Sequence, residues 1–103
     1  MAGPIIQETM ATGGTAETGN ASDTLIIPTS MTTARLTITG LDGSNTVKTQ
    51  KRTTPGGAWT DQTTYNSNQS NVAVTVAAGE EWRILGVSQQ AVKDIQYKFS
   101  CES

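Results

Sequence analysis

Histidine is absent from this 103-residue chain, and cysteine occurs once. Without an imidazole the chain lacks the usual general base at neutral pH, the Ser-His and Cys-His nucleophile pairs, and the commonest metal ligand. One cysteine without histidine does not build a zinc site, and it cannot close a disulfide within the chain. Cys101 stands at the end of the last apolar run and reads as a thiol tucked at a strand end rather than a nucleophile. Nine acidic residues remain, and a glycosidase needs two positioned carboxylates. Most of the nine fall in turn-like or Gly-rich stretches, and no pair is marked out by aromatic surroundings. The run Leu41-Asp42-Gly43-Ser44-Asn45 lacks the acidic spacing and closing Glu of a helical calcium loop; an Asp-Gly turn accounts for it. The expectation is a non-enzymatic chain that takes no cofactor or metal.

Charge is scarce as well. Asp, Glu, Lys and Arg make up 16% of the chain, seven basic against nine acidic, for a net charge of −2. That gives no clustered positive face for nucleic acid. Lys48, Lys51 and Arg52 form the one local basic group, which reads as a solvated strand edge. No stretch approaches the ~20 consecutive apolar residues that span a membrane as a helix. The N-terminus has no basic segment followed by an apolar one, the mark of a signal peptide. The disulfide staples of small secreted domains are missing too, so assembly in a reducing cytoplasm is expected.

What is present is small and β-branched. Eighteen Thr, ten Gly, eight Ser and five Asn supply pleated, half-buried surface and the turns between strands. Short apolar runs recur from residue 24 onward with turn residues between them. Residues 24–27 are closed by Pro28, and Ala34, Leu36 and Ile38 alternate with polar neighbours. Gly40-Leu41-Asp42-Gly43 reads as a turn, 45–52 as a strand with Val47 inward, and Pro55-Gly56-Gly57 as a second turn. After 60–65, the polar stretch 66–70 reads as a connection. Val72, Val74 and Val76 keep a period of two, Ala78-Gly79 turns the chain, 82–87 is mostly apolar, and Ile95, Tyr97 and Phe99 alternate in the last strand. No segment of helical length shows a helical period, and at most one turn fits 88–92. The pattern predicts an all-β chain: a single antiparallel β-sandwich, Ig-like or jelly-roll-like, of about seven or eight short strands with an N-terminal arm.

The arm is assigned to 1–22 and the sandwich to 23–103. Residues 11–22 are Gly-rich and read as irregular, while Pro4-Ile5-Ile6-Gln7 is able to form a short edge strand. Ile5, Ile6 and Met10 are the apolar residues of this otherwise polar arm. The arm reads as a floppy terminus, a first strand of the domain, or a tether for a neighbouring subunit, and these three are the candidate partner-binding residues. Trp59 follows a Gly-Gly turn and Trp82 opens an apolar strand. Exposed rings on a sandwich face would stack on sugars. A core with so few large side chains needs both rings inside, and that is the preferred expectation. Arg83, between Trp82 and Ile84, points opposite to them and is expected to meet a carboxylate or cap a sandwich edge.

The order of these segments resembles small β-sandwich domains in virion proteins of tailed bacteriophages. Over residues 36–100 it comprises Val47-Lys48-Thr49-Gln50, then Gly56-Gly57-Ala58-Trp59-Thr60-Asp61, a valine strand, and Gly79-Glu80-Glu81-Trp82-Arg83-Ile84-Leu85. The chain has Pro-Gly-Gly where the family pattern has Asp-Gly-Gly, and Thr49 where an aliphatic residue is expected. The resemblance implies a capsid decoration (cement) protein that binds the outside of a head shell in many copies, often as a homotrimer, and clamps neighbouring capsomers. Its partners would then be the major capsid protein and copies of itself. Its place would be the virion surface after assembly in the bacterial cytoplasm. A tail or baseplate accessory subunit, and a carbohydrate-binding module using Trp59 or Trp82, are the alternatives.

Overall fold

The computed structural model describes residues 5–10, 24–88 and 95–102. Among these the chain is all-β, with six strands: β1 (Ile5–Met10), β2 (Leu25–Ile26), β3 (Thr33–Arg52), β4 (Thr60–Thr75), β5 (Glu81–Ser88) and β6 (Ile95–Cys101). Every pairing is antiparallel, in the order β1-β6-β3-β5-β2, and β4 lies along the other edge of β3.

β3 and β4 shape the whole fold. A straight 20-residue strand would run about 65 Å, but the longest dimension of the molecule is 40 Å, so this hairpin is bent. Residues 34–39 of β3 pair with β6, whereas 46–52 pair with β5; β4 follows β3 through both stretches. The sheet therefore folds over on itself into two facing halves, β1-β6-β3-β4 and β2-β5-β3-β4, a single antiparallel β-sandwich. Counted by half, the hairpin contributes two segments to each.

The bend corrects two expectations. Residues 40–43 were expected to reverse the chain, but β3 continues through them. Gly40 has φ 90°, and the pairing register shifts between Leu36 and Ile38, Ile38 and Asp42, and Asp42 and Val47. Gly and Asp mark bulges as readily as turns, because both need a backbone that most side chains disfavour. Here the irregularity hands the strand from one half-sheet to the other. The polar stretch 66–70, expected as a connection, is the middle of β4. It lies on a sheet edge exposed on both sides, so no apolar alternation marks it. Asn68 supports it by accepting the Leu41 amide on its Oδ1 at 2.9 Å.

Strict alternation places the core. Ala34, Leu36 and Ile38 of β3 and Ile95, Tyr97, Phe99 and Cys101 of β6 are buried from one half. Leu25, Val47, Trp82 and Ile84 are buried from the other. The halves meet where the Trp82 and Phe99 rings sit 6.1 Å apart, edge to face, an arrangement worth about 0.5–1.5 kcal/mol beyond burial. Two tight turns finish the frame. In 54–57, Gly57 donates its amide to the Thr54 carbonyl, and a Cβ at Gly57 would come within 2.9 Å of that oxygen, so only glycine fits. In 77–80, the Glu80 amide returns to the Ala77 carbonyl at 3.1 Å across Gly79.

β1 belongs to the stretch expected as the arm, and it adds an edge strand to the sandwich through its pairing with β6. Residues 11–22, expected to be irregular, lie outside the described residues, as does all but Ser88 of the helical turn considered at 88–92. No helix among the described residues is long and apolar enough to cross a membrane.

Candidate functional site

Alternation along β3 and β5 sends a second set of side chains to the outer face of the β2-β5-β3-β4 half. Gln50 stands opposite Arg83, and Arg52 opposite Glu81; Asp61 of β4 lies across from Gln50. These side chains form one network. Lys48 Nζ donates to Asp61 Oδ2 at 2.9 Å, and Gln50 Nε2 donates to Asp61 Oδ1 at 2.8 Å. Arg83 Nε donates to Gln50 Oε1 at 2.8 Å, and Arg52 Nε to Glu81 Oε1 at 2.7 Å. Gln50 is buried and joins an acceptor to a donor, which fixes its amide orientation. The Gln50 and Lys48 hydrogen bonds hold the Asp61 carboxyl below its ordinary pKa.

Trp59 lies over this network. It sits in the loop that joins β3 to β4, just after the 54–57 turn, and is half-buried. The guanidinium carbons of Arg52 and Arg83 each stand 4.3 Å from the centroid of its ring. Cation–π contacts of this kind are worth about 0.5–2 kcal/mol each, rising with desolvation. Two like charges at one ring also repel. Burial, and then the neighbouring Arg52 charge, lower the Arg83 pKa from its ordinary value.

The two tryptophans thus part company. Trp82 is buried in the core as expected, its Nε1 bound to Glu80, so it offers no face to a sugar. Trp59 corrects the expectation of a second core ring: it is on the outer face, because the loop carrying it folds back over the sheet, and guanidiniums occupy its π-surface. Arg83, expected either to meet a carboxylate or to cap a sandwich edge, meets the Gln50 amide and the Trp59 indole. Nor do Lys48, Lys51 and Arg52 form a solvated edge. β3 is flanked on both sides, and the three cations pair with Asp61, Glu80 and Glu81 respectively.

Glu80, next to Glu81 in sequence, is also a buried carboxylate. Its Oε1 accepts the Ala77 amide at 2.7 Å and Trp82 Nε1 at 3.1 Å, and its Oε2 meets Lys51 Nζ at 3.0 Å. Burial pushes its pKa up, but the hydrogen bonds from Lys51, Trp82 and Ala77 outweigh that and leave it below the ordinary value. With every oxygen engaged, this carboxylate is structural.

The residues singled out for partner binding do not join the Trp59 face. Ile5 and Ile6 lie on β1, in the other half-sheet. Ile6 faces the chain's own core, and Ile5 is 49% exposed; the Met10 side chain lies outside the described residues. Ile26 on β2 is 58% exposed and went unnoticed in the sequence, although three consecutive apolar residues in a strand must turn one outward. The remaining open feature is β4. Among the described strands it pairs only with β3, so its other edge has no strand neighbour among the described residues. Beside that edge Tyr65, Val72 and Val74 are only partly covered by the core. Among the described residues no group of three or more His, Cys, Asp or Glu side chains is placed to hold a metal ion. Compared with known proteins, the chain matches no protein-family model and no curated relative.

Proposed function

We propose that this chain is a non-enzymatic structural protein of a tailed-phage virion, a capsid decoration protein that binds the outer shell in many copies and stabilises it. In this reading it acts as a homotrimer on the major capsid protein. The observation that supports the reading is the outer edge of β4. It is 16 residues long, contains no proline, and has Asp61 as its one charged residue. Soluble proteins usually guard such edges with charge, proline or short length, because a bare edge recruits another strand. An edge with no strand neighbour among the described residues over this length suits a subunit whose neighbours cover it once it is docked. Modest contacts repeated over a symmetric shell then hold through avidity.

The test is the number of copies per major shell subunit in purified particles, measured by quantitative mass spectrometry. A ratio near one, or a simple fraction of it, is expected. A few copies per hundred subunits would make the chain a tail or baseplate component, and absence from particles would overturn the virion reading. The carbohydrate-module alternative is left with Trp59 alone, whose ring a sugar would have to take from two guanidiniums.

A further inference from the structure

The chain has three arginines, and two of them converge on one indole. Like charges at one ring repel, and of the two only Arg52 has a carboxylate partner among the described residues. The two guanidinium carbons lie no more than twice 4.3 Å apart, since each is that distance from the Trp59 centroid. Each fork is held by its Nε alone, Arg83 on Gln50 and Arg52 on Glu81. Among the described residues neither has a further hydrogen-bond partner, so the Nη1–Nη2 edges are unspent. Of the nearby carboxylates, Asp61 is committed to Lys48 and Gln50, and Glu81 is engaged by Arg52 itself. Arg83 has no carboxylate partner among the described residues. A guanidinium edge with two parallel N–H groups matches the two oxygens of a carboxylate or phosphate. Holding the forks through Nε and stacking them on a ring lowers the entropy lost on binding.

We propose that Arg52 and Arg83, braced by Trp59, Gln50 and Glu81, form a binding site for an oxyanion, a carboxylate or phosphate group presented to the outer face of the sandwich. Arg83 supplies the unneutralised charge, and Arg52 adds a second fork whose charge Glu81 partly offsets. The site is separate from the β4 edge, so its failure would leave the capsid reading intact and the reverse also holds.

The experiment titrates the full chain with sodium phosphate and, separately, sodium acetate at constant ionic strength, following the arginine Nε–Hε signals and the two indole Nε1–H signals by NMR. Arg35 is the internal control: on the other half-sheet it is pinned through its Nε to Glu102 at 2.7 Å and through Nη1 to the Asn71 carbonyl, and among the described residues it stacks on no ring. Saturable shifts at Arg52, Arg83 and Trp59 are expected with at least one anion, while Arg35 and Trp82 stay still. The anion that saturates first identifies the oxyanion class. Arg83→Gln should abolish saturation, and Arg83→Lys, which keeps the charge but not the fork, should weaken it several-fold. In both variants an unchanged Trp82 Nε1–H signal reports an intact fold. Shifts that grow linearly with anion and equally at Arg35, or no shift with either anion, would overturn the proposal.

Discussion

Trp82 Nε1 and the Ala77 amide both donate to one oxygen of Glu80, at 3.1 and 2.7 Å, while Lys51 takes the other oxygen at 3.0 Å. One carboxylate thereby ties the 77–80 turn, the core indole and β3 together. Its pKa is lower in the fold than the ordinary 4.5, so it contributes stability in full above pH 4.5 and loses that contribution as pH falls through the folded value. Glu80→Gln should cost about 1.5–3 kcal/mol at neutral pH, the usual magnitude for hydrogen bonds to a charged group. The gap between variant and wild type should narrow below pH 4.5. Urea denaturation at neutral and acidic pH checks both; a gap that is unchanged in acid would mean the ionised carboxylate is not what matters.

Trp59 and Trp82 should be separable by fluorescence. Trp59→Phe should leave an emission that is blue-shifted and poorly quenched by acrylamide, since only the buried indole remains. Wild type should show an added, quenchable component. Equal quenching in the two proteins would contradict the placement of Trp59 on the outer face.

At Asn71 the backbone has φ 53°, and the Asn71 amide donates to Thr37 Oγ1 at 3.0 Å. Asparagine tolerates this region and glycine adopts it freely, but a β-branched side chain does not. Asn71→Gly should be near neutral, and Asn71→Val should lose about 1–3 kcal/mol by chemical denaturation.

Cys101 is buried, and burial pushes its thiol pKa up. Thiolate, the reactive form, is therefore scarce in the fold, and burial also keeps reagents from it. A chromogenic thiol reagent at mildly alkaline pH should react slowly with native protein and at once in denaturant. Fast native reaction would place the thiol at the surface.

Adding charge to the bare edge addresses its role. Asn66 and Ser70 are exposed on β4, and the pair Asn66→Lys and Ser70→Lys should leave the melting temperature nearly unchanged while reducing occupancy on the shell. Retained occupancy would show that β4 is not the docking edge.

Where period-two alternation was strong, the sequence could be read directly: Ala34-Leu36-Ile38, Val72-Val74-Val76 and Ile95-Tyr97-Phe99 all lie where their spacing put them. The turns at Pro55-Gly56-Gly57 and Ala78-Gly79 were equally plain, because each needs a residue at positive φ. Gly40 misled, since one glycine serves a bulge or a reversal and only pairing partners decide between them. The Arg52–Trp59–Arg83 cluster could not be read at all. It depends on the register of β3 against β5, which links positions some 30 residues apart, and on a loop folding back across that register.

The placement of β6 sets the order in which the molecule can be completed. The β3–β4 hairpin needs only neighbouring sequence, so it can close early and cheaply. Among the described strands β1 pairs only with β6, and Ile5 stands opposite Ser100, 95 positions along the sequence. Closing that pair costs far more chain entropy than closing the hairpin, so the seat of Ile6 is among the last parts of the sandwich to form and among the first to open.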